Sequence, residues 1–251
     1  MNSQRTKFST RYSTWAGFCA LAVAASAAAP STALAQGSPA PVFPSLLDIH
    51  EVKLGTWAEY TLTMSNGQMK QRMAIVGRDE KNTTMEMTVE GGPVGAMGPM
   101  LMQLLVPRDP KQGGKPAGVI LQLGKNQPMQ MPPDHPMAPK ESFHRLDAKD
   151  LKSKPETIKV PAGSFSAQSY TQTRGDQEAV TWLSPKAPPL GLVKMESKTA
   201  MGPVKVELVK QGQGARSALI GKPVPFDQNL FMQQAMAGMS GAQGGPKNAK
   251  K

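Results

Sequence analysis

The chain has 251 residues, 29 lysines and arginines against 18 acids for a formal charge of +11, 5% aromatic residues and one cysteine. That length is enough for one domain with a sizeable core. The lone Cys19 excludes an internal disulfide framework and a multi-cysteine metal site, and so few aromatics leave few platforms on which nucleic-acid bases could stack.

The N-terminus reads as an export signal. Arg5, Lys7 and Arg11 precede an alanine-rich apolar run, residues 15–29, and Ala33-Leu34-Ala35 fits the small-x-small cleavage rule. The run is shorter than the roughly 20 residues needed to span a bilayer. Residues 1–35 are therefore expected to be removed near Ala35, leaving a periplasmic or secreted protein. A lipoprotein signal ending at Cys19 fits poorly, because Ala16 and Phe18 stand where a leucine and a small residue are wanted. Export argues against a nucleic-acid partner, and no second apolar run reaches spanning length. The cationic excess suits an anionic envelope surface, or it keeps a sheet soluble and blunts its edges.

In chain order, residues 36–48 read as a linker and residues 49–225 as one β-rich domain. Residues 56–64 alternate, with Ala58, Tyr60, Leu62 and Met64 on one face and Trp57, Glu59, Thr61 and Thr63 on the other. Ser65-Asn66-Gly67 signals a hairpin. The return strand, 68–77, has Met69, Met73 and Ile75 on one face and Lys70 and Arg72 on the other. A third strand, 83–90, alternates Met85, Met87 and Val89 with Glu86, Thr88 and Glu90, which predicts an antiparallel meander.

Residues 91–140 form an unusual Gly-, Pro- and Met-rich insertion. Within it Pro99 suits a first helical position, and Met100 to Val106 is apolar except for Gln103, which predicts a short buried helix. Residues 119–123 read as a strand and 125–140 as a proline loop, while 142–151 are ambiguous. Strands resume at 157–160, 164–173, 178–183, 191–196 and 203–210. Asp227 is placed to cap a helix over 228–237, with Gly238 ending it, and the basic tail 238–251 has the composition of a disordered end.

No catalytic constellation is present. The three histidines, His50, His135 and His144, form no metal-binding pair, and nucleophile-elbow, phosphate-loop and dinucleotide glycine patterns are missing. Glu86 and Glu90 read as solvated charges on a polar strand face. The chain is accordingly read as a non-enzyme without a cofactor. A minor alternative is copper(I) binding by Met129, Met131, His135 and Met137, since soft thioethers and an imidazole suit that ion. The 17 methionines support a different use. Thioethers fill changeable apolar space, so a Met-rich face could open for an acyl chain; the plain alternative is a core in which methionine replaces leucine.

Several short runs carry a family resemblance: Val160-Pro161-Ala162-Gly163-Ser164-Phe165, Val180-Thr181-Trp182-Leu183-Ser184-Pro185, Gly191-Leu192-Val193-Lys194-Met195-Glu196, and the earlier Gly55-Thr56-Trp57-Ala58-Glu59-Tyr60. They resemble exported bacterial proteins of the lipoprotein-carrier (LolA/LolB-like) half-barrel superfamily, best over 155–212 and more weakly over 50–90. The resemblance implies a mainly β fold with a few short helices: a bent antiparallel sheet, or half-barrel, with helical segments covering its concave face. It further implies an apolar cavity for lipid or a lipidated protein, with Trp57, Tyr60, Phe165, Tyr170 and Trp182 at its wall. The apolar patterns add Met73, Met85, Met87, Met100, Leu101 and Leu104. The family's early-strand arginine has no recognisable counterpart here. The competing reading is an envelope scaffold that uses its basic surface and proline loops.

Overall fold

A computed structural model describes residues 43–92, 98–109, 115–136, 138–139, 143–146, 152–174, 177–199 and 202–241. The predicted leader, the first part of the linker and the end of the basic tail lie outside these residues, as does Met137.

In chain order the elements are β1 (Phe43–Ser45), β2 (Trp57–Met64), β3 (Gly67–Arg78), β4 (Asn82–Gly91), β5 (Met100–Pro107), β6 (Gly118–Leu123), β7 (Met129–Met131), β8 (Phe143–Arg145), β9 (Lys152–Val160), β10 (Gly163–Arg174), β11 (Gln177–Leu183), β12 (Leu192–Thr199), β13 (Gly202–Gly212), β14 (Val224–Pro225) and α1 (Gln228–Gly241). Twelve strands make one open sheet in the order β14-β7-β6-β5-β4-β3-β2-β13-β12-β11-β10-β9, while β1 and β8 form a separate parallel pair. The large sheet is two meanders, β2 to β7 and β9 to β13, joined where β2 lies antiparallel to β13. The mainly β fold class expected from the sequence is what the chain adopts.

Register follows the hydrophobic alternation. Ala58, Tyr60 and Leu62 of β2 face Met73, Gln71 and Met69 of β3, and Ile75 and Met73 in turn face Met85 and Met87 of β4. Sliding any of these strands by one residue would turn its apolar set to the opposite face, so burial holds the register. Register shifts interrupt the β3–β4, β9–β10, β11–β12 and β2–β13 ladders, and such bulges add local twist to the sheet. The turn between β9 and β10 reaches back far enough for the Ala162 N–H to donate to the Leu208 carbonyl of β13 at 3.1 Å.

Residues 100–106 are not a helix but the strand β5, in the middle of the β2–β7 meander. Both faces of β5 are buried: Met102, Leu104 and Val106 on the core side, Leu101 and Gln103 on the other. A strand buried on both faces loses its alternation, and over seven residues it cannot be told from an all-round apolar helix. Two further stretches also join the fold. Phe43–Ser45, at the end of the predicted linker, is β1, and Met129–Met131, within the predicted proline loop, is β7.

The cover over the core face is also mostly non-helical. Leu46, Ile49 and Val52, together with Ala138, Leu146, Ala187 and Leu190, pack on the core from irregular segments. α1 is the one helix among the described residues, and its Phe231 joins a smaller cluster with Leu123 and Met129 at the β6–β7 end. Asp227 caps α1 as expected: its Oδ1 accepts from the N–H groups of Asn229 and Leu230 at 2.8 and 3.1 Å. On the opposite face of the sheet, the extended segment 213–222 runs as a strap from the end of β13 towards β14.

Candidate functional site

The predicted cavity residues divide between the two faces. Tyr60, Met73, Met85, Met87 and Leu104 are buried together on the core face, with Met100 partly buried beside them and Phe165 in the same cluster. Cross-strand pairing brings Met73 opposite Met87 and Met85 opposite Leu104. Tyr170 and Trp182 lie at the margin of this cluster, partly buried. Trp57 and Leu101 belong to the other face. The Trp57 indole carries the Arg72 guanidinium 5.0 Å above its ring, and its Nε1 donates to the Gln213 carbonyl at 3.3 Å. Trp182 pairs across the ladder with Lys194, whose ammonium lies 4.9 Å over the ring, and its Nε1 donates to Glu156.

The methionine-lined surface is closed. Tyr60, Met73, Ile75 and Met85 are all 0% exposed. Burial pushes the Tyr60 phenol well above the usual tyrosine range, and its hydroxyl donates to the Leu192 carbonyl at 3.3 Å. One polar side chain is set among the thioethers: Gln71, buried opposite Tyr60, donates to the Met87 sulfur at 3.7 Å.

Segment 46–54 lies over this surface through polar contacts at its rim. The Arg78 Nη2 donates to the carbonyls of Ile49 and Val52 at 3.2 and 2.6 Å. The Arg78 Nε is buried with no hydrogen-bond partner. His50 Nδ1 lies 2.9 Å from the Thr83 hydroxyl, and the His50 N–H donates to Asp48 Oδ1 at 3.0 Å. Desolvation lowers the His50 pKa, with Asp48 acting in the opposite sense. Leu46 is tied down separately, its N–H donating to the Leu190 carbonyl at 2.9 Å. Leu190 belongs to the turn 184–191, which contains the cis peptide Pro188-Pro189 and is closed by Ser184 N–H donating to Gly191 O at 2.7 Å.

The residues of the copper alternative are placed apart from one another in environment. Met129 and Met131 alternate with exposed Gln130 and are each 1% exposed, Met131 in the main core and Met129 in the smaller cluster. The His135 ring meets Phe226 edge-on at 4.8 Å. Among the described residues no three His, Cys, Asp or Glu side chains come together as a metal site, and no helix is long and apolar enough to cross a membrane.

A second polar centre lies on the opposite face, and sequence reasoning missed it. Glu86, read from the alternation as a solvated charge, is 1% exposed. Its Oε2 accepts from Gln103 Nε2 at 2.9 Å and from Ser217 Oγ at 3.0 Å, and both carboxylate oxygens take the Ala218 N–H at 3.1 Å. Gln122 does the same for the next part of the strap, donating to the Ile220 carbonyl and accepting from its N–H at 2.8 and 3.1 Å. These contacts satisfy the strap's backbone by side chains rather than by a ladder. No local pattern announces them, since Glu86 and Ala218 are 132 residues apart.

Two open hollows lie elsewhere on the surface. One, of about 340 Å³, is bordered by Lys81, Asn82, Arg108 and Asp109 beside the β3–β4 turn; the other, of about 790 Å³, runs along α1. Neither is lined by the predicted cavity residues.

No family model and no curated protein matches the chain. Among solved structures it is similar to a hypothetical protein from Chlamydia trachomatis, at 12% identity and a TM-score of 0.43 over 70% of this chain and 95% of that one. It is also similar to a protein of Bacteroides fragilis described as exported and of YmcC-like fold, at 11% identity and a TM-score of 0.28 over 68% and 99%. PNGF-II matches at 11% identity and a TM-score of 0.32 over 73% of this chain and 33% of its own. Likenesses at this level assign no function.

Proposed function

We propose that the chain is a non-enzymatic exported protein of half-barrel type that takes up an apolar ligand, a lipid or an acyl chain, between the core face of its sheet and the segments lying over it. One observation carries this reading. Among the described residues, a face rich in Met69, Met73, Met85, Met87, Met102 and Met195 is covered largely by irregular chain flanking the short β1–β8 pair, with no helical layer over it. Thioethers repack around a guest with little strain. Segment 46–54 rests on that face by a few hydrogen bonds, so lifting it would expose apolar surface without breaking a ladder. The LolA/LolB-like resemblance of the β9–β12 motifs points the same way.

Full burial of Tyr60, Met73, Ile75 and Met85 favours a second reading, in which the core is permanently closed and the protein is an envelope scaffold. Native mass spectrometry and lipid extraction of protein purified from a bacterial envelope separate the two. A co-purifying acyl lipid, displaced by a fluorescent fatty-acid probe, is the expected result. A ligand-free mass with no probe uptake would sink the lipid reading in favour of the scaffold.

A further inference from the structure

At the β4–β5 end, the core face gives way to a hollow with walls of mixed charge. The last core pair of that ladder is Thr83 opposite Val106, both buried. Asn82 and Pro107 follow, and the Arg108 N–H then donates to the Lys81 carbonyl at 2.8 Å. Two residues of strand rise about 7 Å, so the exposed Lys81 and Arg108 stand roughly that far beyond the buried Val106. They border the hollow of about 340 Å³ together with Glu80, Asn82, Asp109 and Ala117, a size within the ~300–1,000 Å³ of small-ligand sites. Asp79 Oδ1 accepts from the N–H groups of Lys81 and Asn82 at 2.8 and 2.6 Å, which fixes the turn that carries Glu80 and Lys81. The hollow adjoins the segment lying over the methionine face. His50 of that segment reaches the Thr83 hydroxyl at 2.9 Å, and the Arg108 charge bears on its imidazole. Among the described residues the walls carry both signs, Lys81 and Arg108 against Glu80 and Asp109.

We propose that this hollow receives the headgroup of the acyl ligand and selects a phosphate ester bearing a primary amine, as in phosphatidylethanolamine. The site rests on the uptake of an acyl chain at the methionine face and adds the headgroup to it. Lys81 and Arg108 donate charge-assisted hydrogen bonds to the phosphate oxygens, and Glu80 accepts from the ammonium. An acyl chain laid on the methionine face ends near Val106, and the glycerol spans the remaining distance to the phosphate. A headgroup with a phosphate and no amine would bring its charge towards Glu80 and Asp109 with nothing to offer them. A choline headgroup has no N–H to donate to a carboxylate, so the primary amine is the chemistry that both pairs of charges favour.

The test is displacement of a neutral apolar probe, N-phenyl-1-naphthylamine, from the full chain by diacyl lipids of equal chain length. Phosphatidylethanolamine should displace it at about tenfold lower concentration than phosphatidylglycerol or phosphatidylcholine. K81Q/R108Q should weaken that competition about tenfold, and E80Q should reduce the advantage over phosphatidylglycerol. These side chains are exposed, so thermal unfolding and uptake of the probe alone should stay as in the parent protein. Phosphoethanolamine, the same headgroup without acyl chains, should bind at least about a hundredfold more weakly in calorimetric titration. Binding as tight as that of the lipid would assign the hollow to a soluble aminophosphate and overturn the lipid assignment. Probe uptake with no order among the headgroups, or competition unchanged in K81Q/R108Q, overturns the headgroup site and leaves acyl uptake standing. A parent protein that takes up no probe overturns both.

Discussion

Glu86 shows how far a single carboxylate can matter when its partners are backbone groups. In β4 it alternates correctly with Met85 and Met87, and alternation alone assigns it to water. The strap instead removes it from solvent and supplies hydrogen bonds from Ser217 and Ala218. Glu86→Ala would leave those donors and Gln103 without their acceptor and should destabilise the protein by about 2–4 kcal/mol in urea unfolding. Glu196→Ala, which removes only a surface pair with Lys194, should change stability by no more than about 0.5 kcal/mol. Equal effects would mean that the strap does not depend on Glu86. His50 makes a prediction in pH. Its folded pKa lies below the ordinary 6.5 because burial disfavours the imidazolium. The unfolded chain therefore binds the proton first, and stability is lost as pH falls through the histidine range. Urea midpoints measured between about pH 7 and 5 should drop more steeply for the parent than for His50→Gln.

Among the elements, those whose two faces differ were the ones legible in the sequence. β2, β3 and β4 carry apolar residues toward one side and charged or hydroxyl residues toward the other, and the hairpin residues between β2 and β3 stand where the chain turns. β5 was misread because its second face is covered too, and that cover comes from a segment more than 100 residues away. The turn after β11 is another tertiary product. Its prolines stop the strand, as proline does for lack of a ladder donor, but the buried Ala187 and Leu190 make the turn part of the core cover. Gly191 is fitted into it at φ +85°, where a Cβ would stand 3.0 Å from Leu46 Cβ and 3.2 Å from the Ser184 carbonyl. Gly191→Ala should therefore lose about 1–3 kcal/mol. Gly163→Ala, at φ +129° with nothing within 4 Å, should lose less. A loss at Gly163 equal to that at Gly191 would show that crowding against Leu46 plays no part.

For the whole molecule, the decisive contact is the pairing of β2 with β13. It joins two meanders that are each continuous in sequence, and it places Leu62 opposite Val206 and Tyr60 opposite Leu208 within one core. Unfolding is accordingly expected to be a single transition. In protein lacking the leader, Trp57→Phe and Trp182→Phe variants each leave one indole, in β11 and β2 respectively, and the two should report the same urea midpoint and slope. Distinct midpoints would mean that the meanders unfold independently. The sequence by itself determined the β class, the two faces of β2, β3 and β4 apart from Glu86, the hairpin turn between β2 and β3 and the capped start of the C-terminal helix, which runs past the predicted stop at Gly238 to Gly241. Each of these rests on residues within a few positions of one another, where side-chain period and turn chemistry act directly. Only the tertiary structure decided that β5 is a central strand, that Glu86 is buried beneath the strap and that irregular segments cover the methionine face. Those outcomes depend on which distant segment lies over a given face, and no local period encodes that.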